Sequence, residues 1–348
     1  MSFAVPPVPR TEDELDDRLS EPREATVEAL KRAPGDIVIL GAGGKMGPTL
    51  ARMAARAAKR ADGPRQRRVI AVSRFTSRGL SRELERQGVE TVQADLLDAD
   101  AVSRLPDAPN VVFMAGQKFG TTDAPSRTWM MNVVVPAHCA RRYASSRIVA
   151  FSTGNVYPLR GVLGGGASER TKPQPLGEYA ASCLGRERVF EFHSAAHETP
   201  VAIMRLNYAI DLRYGVLADL AQRISSGHLV PIAMGYVNVI WQGDANRIAL
   251  EMLPLAASPP FVLNVTGAET LSVRTLATDL GNRLEKVPHF DGTEAPDALL
   301  SDTSKLRATL GLPEMPLDTM LDWVAEWVKA GRPMHNKPTH FETRDGSF

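Results

Sequence analysis

Short apolar runs alternate along this chain with stretches whose apolar residues fall at helical spacing. Ile37, Val38, Ile39 and Leu40 form such a run. It breaks into glycines at Gly41, Gly43, Gly44 and Gly47, and Pro48 follows in what would be the first turn of a helix, where a missing N–H costs nothing. Leu50, Met53, Ala54 and Ala57 then mark one helical face. The alternation continues. Strands are predicted over Arg68–Ser73, Val89–Gln93, Asn110–Met114, Arg147–Phe151 and Val201–Leu206, with long helices over about Trp129–Tyr143 and Glu178–His193.

Strand-helix alternation of this kind predicts an α/β fold, a Rossmann-type doubly wound parallel sheet, over residues 35–206. Residues 1–34 read as a helical extension with helices over Glu12–Leu19 and Pro22–Arg32, and prolines at 6, 7 and 9 extend its start. It is expected to pack on the domain or on a neighbouring subunit. After Leu206 the pattern loosens into helices around Val216–Ser226, Asp244–Leu253, Val273–Leu284, Ser304–Leu310 and Leu317–Ala330, with one apolar strand at Phe261–Val265. This predicts a smaller substrate-binding lobe over 207–330, with 237–265 partly returning to the first domain. The polar tail, 331–348, either hangs loose or wraps back onto the body.

Composition narrows the partners. Among 348 residues, 41 Lys and Arg face 40 Asp and Glu, a net charge of +1, which gives no electrostatic case for nucleic acid or an anionic membrane. Two cysteines do not make a disulfide scaffold. No histidine has metal-ligand spacing, no apolar run is long enough to span a bilayer, and no signal segment precedes the first helix. A soluble cytoplasmic protein with a small-molecule partner is expected.

Strand, glycine turn and helix make a dinucleotide site: glycine lets backbone approach a pyrophosphate, and the helix start offers N–H groups and the positive dipole end. Gly41, Gly44, Lys45, Met46 and Gly47 are its candidates. The second strand ends Ser73-Arg74 where an NAD site usually carries an acid, so NADP is favoured over NAD. Asp95, beside Leu96 at the third strand end, is placed to accept from an adenine amino group and to cap a helix over Leu96–Val102. Ala115 and Gly116, after the fourth strand, let backbone lie against ribose and nicotinamide, and Lys118 can reach a cofactor hydroxyl or phosphate. Hydroxyls in Ser152-Thr153-Gly154-Asn155 end the fifth strand, and Tyr179 begins the next helix.

In their order and placement these motifs resemble the extended short-chain dehydrogenase/reductase family, the NAD-dependent epimerase/dehydratases, from Asp36 to about Gly331. The resemblance implies that Tyr179 is the catalytic tyrosine, Thr153 the catalytic hydroxyl and Asn132 the asparagine of the helix after the fourth strand. It also implies that Asn207, in Arg205-Leu-Asn207, faces substrate together with Gly154 and Asn155. Hydride would pass between nicotinamide and a hydroxyl or keto carbon of a sugar-like or nucleotide-sugar-like substrate, in an epimerase or a reductase. Gly154 and Asn155 after Thr153 argue against dehydration. Homodimers through the Tyr179 helix are common in the family.

One position departs. The family's Tyr-x-x-x-Lys reads Tyr179 to Cys183 here, and i and i+4 share a helix face. A phenol pKa is about 10 and a close cation lowers it by roughly one to three units. Losing the lysine therefore cuts the tyrosinate at neutral pH by on the order of ten- to a thousandfold. Arg186 and Lys118 are the candidate replacements. A cofactor-binding protein with weakened or lost catalysis, acting as sensor or scaffold, is the alternative.

Overall fold

The computed structural model describes residues 7–63, 67–118, 120, 123–337 and 339–347; Pro6 lies outside them. Seven strands form one wholly parallel sheet: β1 (Ile37–Leu40), β2 (Val69–Ser73), β3 (Glu90–Gln93), β4 (Asn110–Phe113), β5 (Arg147–Thr153), β6 (Val201–Leu206) and β7 (Phe261–Val265). Their spatial order is β7-β6-β5-β4-β1-β2-β3. The chain runs outward from β1 through β2 to β3, then returns to lay β4 on the other side of β1. That reversal opens a crevice at the carboxyl ends of β1 and β4, where ligands of such sheets bind.

Side chains alternate across the sheet, which explains why its central strands are apolar throughout. Ile37, Ile39, Ala71 and Val112 face a core shared with Leu50, Met53 and Ala54 of the helix that follows the glycine turn. Val38, Leu40, Val72 and Phe113 face a second core with Cys139, Ala140 and Phe190. A third core fills the C-terminal lobe around Leu217, Leu276, Trp323 and Trp327. The strand at Phe261–Val265 extends the sheet, pairing in parallel with β6.

The N-terminal helices α1 (Glu12–Leu19) and α2 (Glu24–Arg32) pack on this body. Leu15 and Leu19 enter the lobe core, and Val27 and Leu30 enter the sheet core beside α3 (Gly47–Asp62). The helix predicted over Trp129–Tyr143 starts at Pro125 and is not uniform. Its turn Met130–Val134 is a π-helix between the α-helical segments Pro125–Trp129 and Val135–Arg142. The tyrosine helix runs Gly177–His197. The short helix after β3 starts at Ala99 and is capped by Asp98, not by Asp95, whose Oδ1 accepts from Leu97 N at 3.0 Å.

The described tail wraps back. His335 N donates to Arg213 O at 3.1 Å, Thr339 N and Oγ1 to Asp219 Oδ2 at 2.8 and 2.6 Å, and Phe341 is buried. No helix among the described residues is long and apolar enough to cross a membrane.

Candidate active site

The glycine turn is shaped by what surrounds it. Gly41 has φ of +90°, and a Cβ there would stand 2.6 Å from Ala115 Cα. A Cβ on Gly47 would meet Ala42 O at 2.3 Å. Gly44 meets nothing nearer than 3.5 Å, so its missing side chain leaves open space on the cleft side. In the first turn of α3, Gly47 N donates to Gly44 O at 3.2 Å, Leu50 N donates to Met46 O at 3.0 Å and Pro48 has no N–H, which leaves Thr49, on the cleft wall, with an N–H that the helix itself cannot satisfy. Pinched against β4 below and open above, the turn fits a pyrophosphate.

Ser73 lies directly under this turn: a Cβ on Gly43 would be 2.3 Å from its Oγ. Arg74 is exposed at the next position, and its side chain makes no hydrogen bond or ion pair among the described residues. Asp95 is exposed at the end of β3, while Leu96 is buried in the core. Arg74, Asp95 and Leu96 thus sit at neighbouring strand ends and not on the cleft walls.

Asn132 serves the scaffold more than the cleft. Fully buried in the π-turn, its Oδ1 accepts from Gln117 N at 2.9 Å and from Arg186 Nη2 at 2.7 Å. Its Nδ2 donates to Gln117 O at 3.0 Å and Ser182 Oγ at 2.9 Å. All of its bonding capacity is used to lock the turn after β4 against the tyrosine helix. Arg186 also donates to Phe151 O at 2.9 Å, and its Nη2 packs where a Cβ on Gly116 would fall, 2.3 Å away.

Tyr179 shares side-chain hydrogen bonds with Thr153 and with Cys183. Thr153 ends β5, accepts from Asn155 N at 3.2 Å and lines the cleft with Asn155 and Tyr179. Burial holds the Tyr179 phenol well above its ordinary range. Cys183 adds to this, while the charge of Arg186 and the bond to Thr153 pull the other way. Burial likewise pushes up the Cys183 thiol, which is fully enclosed among Val156, Tyr157 and Ala167. Arg186, one of the two candidate cations, therefore acts on the phenol at a distance.

Beneath these groups is a buried network that sequence reasoning missed. Arg205 on β6 forms a two-pronged pair with Glu187, at 2.9 and 2.6 Å, and donates to Tyr157 Oη at 2.7 Å. Ser152 Oγ donates to Glu187 Oε1 at 2.5 Å, and Tyr157 to Asn264 Oδ1 at 2.9 Å. Ser152 is thus spent on structure, whereas the Thr153 hydroxyl faces the cleft. Asn207 is buried at the cleft, donates to Leu299 O at 3.3 Å, and packs so closely that a Cβ on Gly154 would lie 3.1 Å from its Cγ.

The cleft has a volume of about 760 Å³ and brings together Gly41, Gly44, Lys45, Met46, Gly116, Lys118, Thr153, Asn155, Tyr179 and Asn207. Its far wall was not foreseen. Arg213 is clamped by Asp211 at 3.1 Å and by Asp16 of the N-terminal helix at 2.7 Å. Lys45 Nζ lies 3.1 Å from the centroid of the Tyr214 ring. Lys118 donates to Thr339 O of the tail at 3.0 Å. Burial brings Lys45 down to about 7, helped by Lys118 and Lys337, and brings Lys118 down to about 8.

A wholly parallel doubly wound sheet with a glycine turn at its switch point defines a Rossmann-type nucleotide-binding protein. The sequence profile of the NAD dependent epimerase/dehydratase family matches residues 37–244, and the chain belongs to this family of enzymes. Sequence comparison with curated proteins finds no match. Among solved structures, Pal from Bacillus thuringiensis is similar at a TM-score of 0.71 and 17% identity, over 85% of this chain and 100% of that one. UDP-glucuronic acid 4-epimerase from Bacillus cereus, in complex with NAD, gives 0.70 and 19%, over 85% and 99%. MoeE5, in complex with UDP-glucose and NAD, gives 0.68 and 18%, over 85% and 99%. At these identities the likeness is one of fold.

Proposed function

We propose that the protein is an NAD(P)-dependent oxidoreductase or epimerase acting on a hydroxyl or keto carbon of a sugar or nucleotide-sugar-like substrate. The observation that carries this is the hydrogen bond between Tyr179 and Thr153 on the cleft floor. The glycine turn would hold the dinucleotide pyrophosphate, and Ser73, Arg74 and Asp95 would meet its adenosine end. Arg74 favours NADP. When bound, the nicotinamide supplies or accepts a hydride.

The chain's own residues do the rest. Thr153 donates to the substrate oxygen and offsets the charge growing there. Tyr179 exchanges a proton with the same oxygen. Its phenol is held protonated by burial, the form that delivers a proton to a carbonyl being reduced. Oxidation of an alcohol needs the phenolate, and Arg186 supplies part of the missing lysine's field. Asn207 and Asn155 orient the substrate.

Purified protein with NADPH or NADH and a panel of keto sugars tests this by loss of reduced-nicotinamide absorbance. Turnover by wild type that disappears in Tyr179→Phe supports the reading, and full activity in that variant overturns it. The burial of Cys183 in the lysine position favours a second reading, a cofactor-binding sensor or scaffold with lapsed catalysis. That reading predicts dinucleotide binding without turnover. We also propose a cytoplasmic homodimer through the exposed apolar side chains Trp129, Met130 and Phe192, checked by sedimentation.

A further inference from the structure

We propose that the two ends of this chain meet at Arg213 and close the substrate side of the cleft, which restricts it to a compact hydroxy or keto compound, such as a free sugar, carrying no nucleoside diphosphate. This narrows the proposed function and rests on its reading of the cleft as the site of both dinucleotide and substrate.

Both ends are tied to the same residue. Asp16 of α1 accepts from Arg213 Nη2 at 2.7 Å, and His335 of the tail donates its backbone N–H to Arg213 O at 3.1 Å. Arg332 joins the ends to each other, through Pro9 O at 2.8 Å. Asp16, His335, Lys337 and Thr339 are thereby part of the cleft wall. From there the tail crosses the catalytic end. Thr339 O accepts from Lys118, just beyond β4, at 3.0 Å. Arg344 donates to Asp297 O at 2.9 Å and pairs with the Asp297 carboxylate. Gly346 then lies against the start of the tyrosine helix: a Cβ on Gly177, two residues before Tyr179, would meet Gly346 O at 2.2 Å. Between these points the segment is anchored by Phe341, buried in the lobe core, and by the bonds of Thr339 to Asp219. A long substrate cannot lift it without drawing Phe341 out of that core.

Little room is left inside. About 760 Å³ is the size of a pocket for one drug-sized ligand, and here it must also admit the nicotinamide half of a dinucleotide over Thr153 and Tyr179. A sugar ring fits in the remainder, and a sugar with a nucleoside diphosphate does not. Arg213, whose guanidinium would suit a diphosphate, is held instead by Asp211 at 3.1 Å and by Asp16 at 2.7 Å. The closing segments are additions to the common fold. MoeE5 and UDP-glucuronic acid 4-epimerase are each matched over 99% of their length by 85% of this chain, and the tail begins where the resemblance to the family stops.

UDP-glucose is the probe, titrated calorimetrically into wild type and into a chain ended at Phe341, with and without saturating NADPH. Ending the chain there keeps the buried anchor and Thr339, and releases the stretch from Glu342 onwards. Where circular dichroism shows that the shortened chain does not fold, Arg344→Ala, which frees the strap from Asp297, takes its place. Wild type is expected to show no saturable binding up to about 1 mM, and the opened protein to bind about tenfold or more tighter than that limit. Saturable binding by wild type below that limit overturns the proposal, because the closed cleft then admits a nucleotide. Rejection of UDP-glucose by the folded, opened protein overturns it too, because the chain ends are then not what excludes the nucleotide. If NADPH fails to bind while UDP-glucose enters only the opened protein, the size restriction stands and the dinucleotide reading falls.

Discussion

Cys183 shares a hydrogen bond with Tyr179, occupying the position from which the family's lysine would act on that phenol. The thiol is neutral and buried, so it cannot lower the tyrosine's pKa. The cation that does so is Arg186, one helical turn further on. Cys183→Lys therefore shifts the basic limb of the pH profile for alcohol oxidation to lower pH, by about one unit or more. It also overfills the space among Val156, Tyr157 and Ala167, at a cost of about 1–3 kcal/mol in denaturant unfolding. An unmoved profile means that the phenol does not set it.

Arg74 stands exposed beside Ser73, at the end of β2. Removing its charge in Arg74→Ala is expected to weaken NADPH relative to NADH by about three- to tenfold, a modest effect because the site is solvated. Fluorescence titration of both nucleotides measures the ratio. An unchanged ratio removes the arginine from cofactor choice.

The Arg205–Glu187 pair is buried with Ser152 and Tyr157 bonded to it. Arg205→Met strands the Glu187 carboxylate and is expected to cost about 3–5 kcal/mol in urea unfolding. Adding Glu187→Leu recovers part of that loss, because the uncompensated charge is gone. A cost within about 0.5 kcal/mol for the single variant contradicts the account.

What was legible in the sequence was local. Gly41 to Gly47 announce themselves because a strand precedes and a helix follows within a few residues. Thr153 and Tyr179 were singled out by the resemblance of their motifs to the epimerase/dehydratase family, and the cleft is lined by both. The rest depends on chain segments meeting at long range. Nothing in Asp16 tells that it will clamp Arg213, nor does the tail tell that Lys337 will reach the cleft of Lys45. Asn132 looked like a cofactor contact and proved to be wholly engaged in holding the β4 turn, because an inserted π-turn aims its amide inward. Arg205, one position from the expected strand end, gave no signal of its pairing with Glu187.

The central claim is that the turn from Gly41 to Gly47 holds a nicotinamide dinucleotide over Thr153 and Tyr179. Its most direct test is fluorescence titration of wild type and Gly47→Ala with NADPH and NADH. A Cβ at position 47 would collide with Ala42 O at 2.3 Å and deform the turn. The account predicts saturable binding of at least one nucleotide to wild type, weakened by about tenfold or more in a folded Gly47→Ala protein. No binding of either nucleotide to wild type, or equal binding by the variant, would contradict it.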